Sequence, residues 1–248
     1  MNIEDPTMSR AIRDSYTANL VAITKYMLYG IDNKLKKMIG SGIRVGTYAT
    51  KAYSSQKLRR SLETKISRTS KMVIAKAIRY QALHGVTLAL KQVKSKERPR
   101  GVTGQYINEG TVQELFNVNL SLVKSIQTRY LDKLELLIAR FVGGGTLTWD
   151  KLVKGIKVLG AISIAQAEQI ARTEVIRTIS IAQKETLVKL GKKKWKWITQ
   201  LDERTCKVCA PLNNKVVEIG QPFTTWRGQP IMNPPIHPNG RCGTEVVS

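Results

Sequence analysis

Apolar residues recur at three- and four-residue spacing through most of the first 190 positions, then give way to alternation. Over residues 8–39, Leu20, Ile23, Met27, Leu28, Ile31, Leu35 and Met38 share one stripe and predict a helix. The glycines of Gly40-Ser-Gly-Ile-Arg-Val-Gly46 break it. A second helical run is expected over about Ser54 to Val93. Its stripe holds Leu58, Leu62, Ile66, Val73, Ala77, Leu83, Leu90 and Val93, and Gly85 marks a kink or boundary. Lys91 to Gly104 has no period and contains Arg98-Pro-Arg-Gly101, so it reads as a linker. A third helix is expected from about Thr111 to Val142, carrying Leu115, Val118, Leu122, Ile126, Leu134, Leu137 and Phe141, with Gly143-Gly-Gly145 as its stop. A short helix follows the N-cap Thr148. Ser163-Ile-Ala-Gln166 matches a capping box and opens a last helix with Ile170, Thr173, Ile181, Leu187 and Leu190, which Gly191 ends.

Beyond Gly191 the period changes to two. Trp195-Lys-Trp-Ile-Thr199 alternates and puts both tryptophans on one side of a strand, and Val216–Ile219 and Thr244–Val247 are further strand candidates. The stretch between them is rich in proline and glycine and shows no regular pattern. The expected architecture is mainly α: an elongated helical body with a small C-terminal α+β domain, for which zinc is the candidate staple. The expected divisions are a basic helical N-terminal region over 1–104, a helical region over 105–190, and a β-containing Cys/His tail over 191–248.

Charge sharpens the picture of the body. The chain of 248 residues has a net charge of +23, and residues 31–100 hold 18 Lys or Arg against Asp32, Glu63 and Glu97. Such a field attracts a polyanion, with nucleic acid first and an anionic membrane surface second. Lys57, Arg59, Arg60, Lys65, Arg68, Lys71, Lys76 and Arg79 are the candidate DNA contacts. A second basic cluster, Lys189, Lys192, Lys193, Lys194 and Lys196, surrounds Trp195 and Trp197. It reads either as a platform for single strands or, preferentially, as a solvated strand with its tryptophans in the core. Leu20–Tyr29 is interrupted by Lys25 and is too short to span a bilayer, and the acidic N-terminus does not resemble a signal peptide, so no membrane anchor is expected.

The tail carries the candidate chemistry. All three cysteines and one of two histidines lie in Cys206-Lys-Val-Cys209 and His237-Pro-Asn-Gly-Arg-Cys242. Three thiolates and one imidazole in two pairs suit a tetrahedral Zn2+ with no open position, hence a structural cofactor at Cys206, Cys209, His237 and Cys242. The alternative is ordinary buried thiols, or a disulfide formed after release into an oxidising medium; the odd, clustered cysteine count argues for a chain made in a reducing cytoplasm. Catalysis is not expected. Cys209 and His237 lack an orienting Asp or Asn at fixed spacing, and His237-Pro-Asn239 lacks the acidic cluster of a metal-dependent nuclease. In the last helix, Arg172-Thr-Glu174 with Arg177 reads as a face of helical ion pairs, Glu174 with Arg177 and Glu168 with Arg172. The other reading is a charge that reaches into the tail, with Arg204 or Arg241 as partner for Glu174.

Taken in order, Ile170-Ala-Arg-Thr-Glu174, then Trp197-Ile-Thr-x-x-Asp202-Glu-Arg-Thr-Cys-x-x-Cys209-x-x-Leu212-Asn-Asn, then Pro234-Pro-Ile-His-Pro-Asn-x-Arg-Cys242, resemble the phage Mu F-like head morphogenesis family. The resemblance covers about residues 145–248, and marks Arg172, Thr173, Glu174, Asp202, Arg204 and Arg241 as motif positions. The family usually ends in His-Pro-Asn-Cys-Arg-Cys, and Gly240 stands at the first of those cysteines. The resemblance implies a structural minor head protein of a tailed phage. It would be made in the host cytoplasm and lie in the capsid interior of the virion near the portal. Its partners would be portal or capsid and, non-specifically, double-stranded genome DNA during assembly, packaging or ejection. Two rivals are a zinc-stapled nucleic-acid-binding module and a nuclease or toxin-type enzyme.

Overall fold

The computed structural model describes residues 10–40, 55–93, 103–142 and 149–247. Its helices are α1 (Arg10–Gly40), α2 (Ser55–Leu62), α3 (Arg68–Gln92), α4 (Glu109–Val142) and α5 (Trp149–Lys189). Five short strands follow: β1 (Lys194–Ile198), β2 (Val216–Glu218), β3 (Phe223–Thr224), β4 (Pro230–Ile231) and β5 (Gly243–Val246). The mainly α body and small C-terminal sheet region are thus present. The glycine-rich breaks at 41–46 and 143–145, the linker centre at 94–102 and Thr148 lie outside the described residues. Among the described residues no helix is long and apolar enough to cross a membrane.

The chain divides into two compact units. One combines Met1–Thr17, Val73–Asn119 and Gln169–Ser248; the other combines Ala18–Met72 and Leu120–Glu168. The second unit has its core where Leu28, Ile31 and Leu35 of α1 meet Leu62, Tyr130, Leu131 and Leu134. Two hydrogen bonds cross between its segments: Tyr130 donates to Asp32 Oδ1 at 2.9 Å, and Gln127 Nε2 donates to the Thr64 carbonyl at 2.9 Å.

The run expected as one helix from Ser54 to Val93 is two. Residues 63–67 leave the helix, and Ser67 Oγ accepts the Ser70 amide at 3.0 Å, so a side-chain cap starts α3 afresh. Conversely, α5 is one continuous helix of 41 residues, and Ser163 is a buried interior position rather than an N-cap. A capping box is only used where the preceding chain leaves the helix, and here apolar residues on both sides (Ile156, Leu159, Ala167) carry it through.

Gly85 is neither kink nor boundary. It lies inside α3 where that helix passes α5, and a Cβ there would sit 2.3 Å from the Ile179 carbonyl oxygen and 3.0 Å from Ala182 Cβ. Only glycine allows the two backbones this close. The core stripe of α3 is also offset by one residue from the expected one: Ile74, Ile78, Ala82, Val86 and Ala89 are buried, while Val73, Ala77, Leu83 and Leu90 are half-buried. In α4, Val118 is exposed and Leu122 half-buried, and Asn119 and Val123 take the core positions. Asn119 is held there by Tyr16, whose hydroxyl donates to Asn119 Oδ1 at 2.8 Å.

Gly191 ends α5 as its sequence position predicts. It has φ +69°, its amide donates to the Val188 carbonyl at 2.9 Å, and the Lys192 amide donates to Leu187 at 3.0 Å. The tail then forms an antiparallel sheet of order β2-β1-β5, with Trp195 opposite Val217 and Val246. Trp195 and Trp197 are fully buried on one side of β1, and Phe223 packs against them at ring-centroid distances of 5.7 and 5.1 Å. Ala89, Val93, Leu187 and Leu212 complete this core. Gln183 of α5 donates to the Thr244 carbonyl at 2.9 Å and to Gln92 Oε1 at 3.1 Å, tying β5 to both helices. The small hairpin β3-β4 is an element that the irregular proline- and glycine-rich stretch did not reveal.

Candidate metal centre

Two turns build the centre. In the first, the Cys209 and Ala210 amides both donate to the Cys206 carbonyl at 3.1 Å, and the Cys209 amide also points at Cys206 Sγ, 3.3 Å away. A Cys-x-x-Cys turn of this kind aims both sulfurs one way and offers an N–H to a thiolate. The second turn carries His237. Its Nδ1 bonds the Pro238 carbonyl at 2.9 Å, which fixes the proton there and leaves Nε2 as the acceptor. Nε2 lies 3.2 Å from both Cys206 Sγ and Cys209 Sγ, and the three ligand atoms all fall within 4.8 Å of one another. Tetrahedral bonds of about 2.3 Å to sulfur and 2.0 Å to nitrogen would set S and N about 3.6 Å apart. The residues therefore fit a metal ion after an opening of a few tenths of an ångström.

Cys242 is outside this tight group of three. It lines the same pocket of about 40 Å³, with Thr199, Arg204, Thr205 and Arg241, and it is 3% exposed. It shares a buried cluster with Cys209, and its Sγ lies 3.9 Å from Thr199 Oγ1. The bond with Cys209 holds the Cys242 thiol down to about 7, helped by the Trp197 indole and Thr199, and pushes the Cys209 thiol up. Burial raises the Cys206 thiol, but the Cys209 and Val208 amides and His237 more than offset it and leave it below its ordinary value. Burial opposes protonation of His237, and the Pro238 carbonyl and Cys206 outweigh it, so the imidazole lies above its ordinary value. All three cysteines are free thiols.

The motif positions outside the ligands hold the two turns together. Asp202 caps its own turn, accepting the Arg204 amide at 3.0 Å, and receives both Arg241 guanidinium nitrogens at 2.6 Å. That bidentate pair links the Cys206–Cys209 turn to the His237–Cys242 segment, and Arg241 holds the Asp202 carboxyl down to about 2. Arg241 is therefore the partner of Asp202, and Glu174 pairs instead with Arg177 at 3.1 Å. Glu174 is buried rather than on a solvated face. Burial raises its carboxyl despite Arg177, and its Oε2 has no hydrogen-bond partner. Two uncharged groups on α5 reach the tail: Thr173 Oγ1 accepts the Asn239 amide at 3.1 Å, and Gln183 donates to the Thr244 carbonyl at 2.9 Å.

The candidate DNA contacts lie on α2, on α3 and on residues 63–67 between them. Lys57 is in α2, and its side chain lies outside the described residues. Arg59 pairs with Asp132 at 2.5 Å, and Arg79 holds Glu109 with two bonds at 2.7 and 2.8 Å. Arg60, Lys65, Arg68, Lys71 and Lys76 are exposed. In the second basic cluster the tryptophans are core residues. Lys189 donates to the Tyr106 carbonyl and Lys196 pairs with Glu245, so no aromatic platform exists there.

The family of Phage Mu protein F like proteins matches residues 132–245, a span that takes in the last part of α4, all of α5, every strand and the complete Cys/His group. Over these residues the chain resembles the phage Mu F-like family. An uncharacterized protein of Haemophilus influenzae is 31% identical over 104 residues, which cover 42% of this chain and 23% of that protein. The chain thus spans about a quarter of the length of the curated relative it matches. No solved structure matches. The matched region ends within β5, so its boundaries enclose both Cys/His turns and the helix that contacts them.

Proposed function

We propose that this chain is a structural minor head protein of a tailed bacteriophage, acting in head morphogenesis beside the portal or inner capsid. The observation that carries this reading is the Mu F-like match over residues 132–245. On this reading the tail is a small domain with a structural Zn2+ at its Cys/His group, and no reaction is catalysed. His237 shares Nε2 between two sulfurs and commits Nδ1 to a backbone carbonyl, so no carboxylate orients it as a base. Mass spectrometry of purified particles tests the location: absence from particles that retain their portal overturns it.

The net charge of +23 supports a second element of the reading, contact with genome DNA through phosphates. Arg60, Lys65 and Arg68 are exposed cations of the body. Replacing all three by glutamine is expected to reduce the log-affinity against log-salt slope for duplex DNA by about 3. Affinity that is unchanged between low and moderate salt removes the electrostatic mechanism.

A further inference from the structure

Two residues without metal-ligand chemistry fix the segment that carries half of the candidate ligands. Thr173 uses its hydroxyl twice. It donates to the Gln169 carbonyl at 2.7 Å, which commits its proton, and its lone pair receives the Asn239 amide at 3.1 Å. Asn239 is left-handed, with φ 59°, a conformation that asparagine adopts more readily than most residues. Gly240 is buried, and its amide closes the turn onto the His237 carbonyl at 3.1 Å. A Cβ at this position would lie 2.8 Å from Pro235 Cβ and 3.1 Å from that same carbonyl. Any side chain at 240 therefore pushes on the turn that presents His237.

Cys242 follows two residues later, in the same pocket and the same buried cluster as Cys209. Cys242 Sγ lies 3.9 Å from Thr199 Oγ1, and the buried Trp197 Nε1 has no hydrogen-bond partner. Three thiolates and one neutral imidazole around Zn2+ leave a net charge of −1, and Arg204 lines the pocket as a nearby cation. We propose that Cys242 completes a closed four-ligand zinc site with Cys206, Cys209 and His237, and that Thr173 and Gly240 are positioning residues that lock its second ligand pair. This rests on the zinc reading above. It also gives the Arg172-Thr-Glu174 run of α5 a task, as the helical side of the lock.

The test uses the full chain in reducing buffer. Zinc affinity is measured by competition with a chromophoric chelator, and thiolate count by the sulfur-to-metal charge-transfer band after Co2+ substitution. The expected results are one zinc per chain, a loss of about 10- to 100-fold in affinity for Thr173→Val and for Gly240→Ala, recovery in Thr173→Ser, and a charge-transfer band reduced by a third in Cys242→Ser. A wild-type chain that binds no zinc overturns the zinc reading itself. A loaded wild type with Thr173→Val and Gly240→Ala binding equally well overturns the lock, and an unchanged cobalt band in Cys242→Ser removes the fourth ligand.

Discussion

Gly85→Ala separates a local argument from a tertiary one, because the two predict opposite signs. Alanine inside a helix gains about 1 kcal/mol over glycine from backbone propensity. At Gly85 the added Cβ would meet the Ile179 carbonyl oxygen at 2.3 Å, Ala182 Cβ at 3.0 Å and the Gln183 amide nitrogen at 3.1 Å. Carbon and carbonyl oxygen normally stay about 3.3 Å apart, so α3 and α5 must separate by about 1 Å. The blocking atoms are backbone and cannot rotate away. Overpacking of this kind costs about 1–3 kcal/mol. The shift also strains the bonds from Gln183 to Gln92 Oε1 and the Thr244 carbonyl, each worth about 1 kcal/mol. The net expectation is a loss of about 2 kcal/mol, measured by urea unfolding with tryptophan fluorescence. Trp195 and Trp197 report on it directly, since they share a core with Ala89 and Leu187. The control is Gly160→Ala in α5, where the new Cβ meets nothing within 4 Å and a gain of about 1 kcal/mol is expected, followed by circular dichroism. A midpoint for Gly85→Ala at or above wild type refutes the close-approach argument.

Two further predictions concern pH. Asp202 has its folded pKa lowered to about 2 by Arg241, so the stability it contributes is present above the ordinary carboxylate range and is lost as pH falls toward 2. Asp202→Asn should flatten the near-ultraviolet signal of the tail tryptophans over that acid range, and an unchanged titration would remove the clamp from the account. Glu174 is the opposite case: burial raises its folded pKa, so its contribution is present at acid pH and is lost as pH rises through the folded value. Glu174→Gln should therefore lose that pH dependence and be at least as stable as wild type at neutral pH, because the Arg177 it abandons is 44% exposed; a clear loss of stability at pH 7 contradicts this.

Elements governed by local pattern were legible in the sequence. The alternation around Trp195 and Trp197 specified a strand with one buried side, and Gly191 specified a helix end, because each depends on neighbours a few residues away. The α1 stripe was equally clear, as Leu20, Ile23, Met27, Leu28, Ile31 and Leu35 are all buried. Polar core residues defeated the same reasoning. Asn119 displaces Val118 from the core only because Tyr16, 103 positions earlier, supplies its hydrogen bond. Gly85 was misread for the same reason, since the partner that demands it is a carbonyl on another helix.

The candidate centre divides along the same line. Ligand types were visible because soft ligands in paired turns have few other uses, and Cys206, Cys209 and His237 do converge. What positions them was hidden, because Asp202 meets Arg241 across 39 residues and Thr173 meets Asn239 across 66. Charge drew attention to Glu174, whereas the neutral Thr173 makes the contact with the tail. Gly240 shows how far residue type alone can mislead. Beside a Cys-x-x-Cys turn, a glycine in place of a cysteine reads as a lost ligand. In this fold a Cβ at 240 would stand 2.8 Å from Pro235 Cβ and 3.1 Å from the His237 carbonyl, so a cysteine here requires the neighbouring turn to shift. The glycine is tightly packed in the histidine turn of this chain, and the candidate ligand set has to be judged with His237 as a full member.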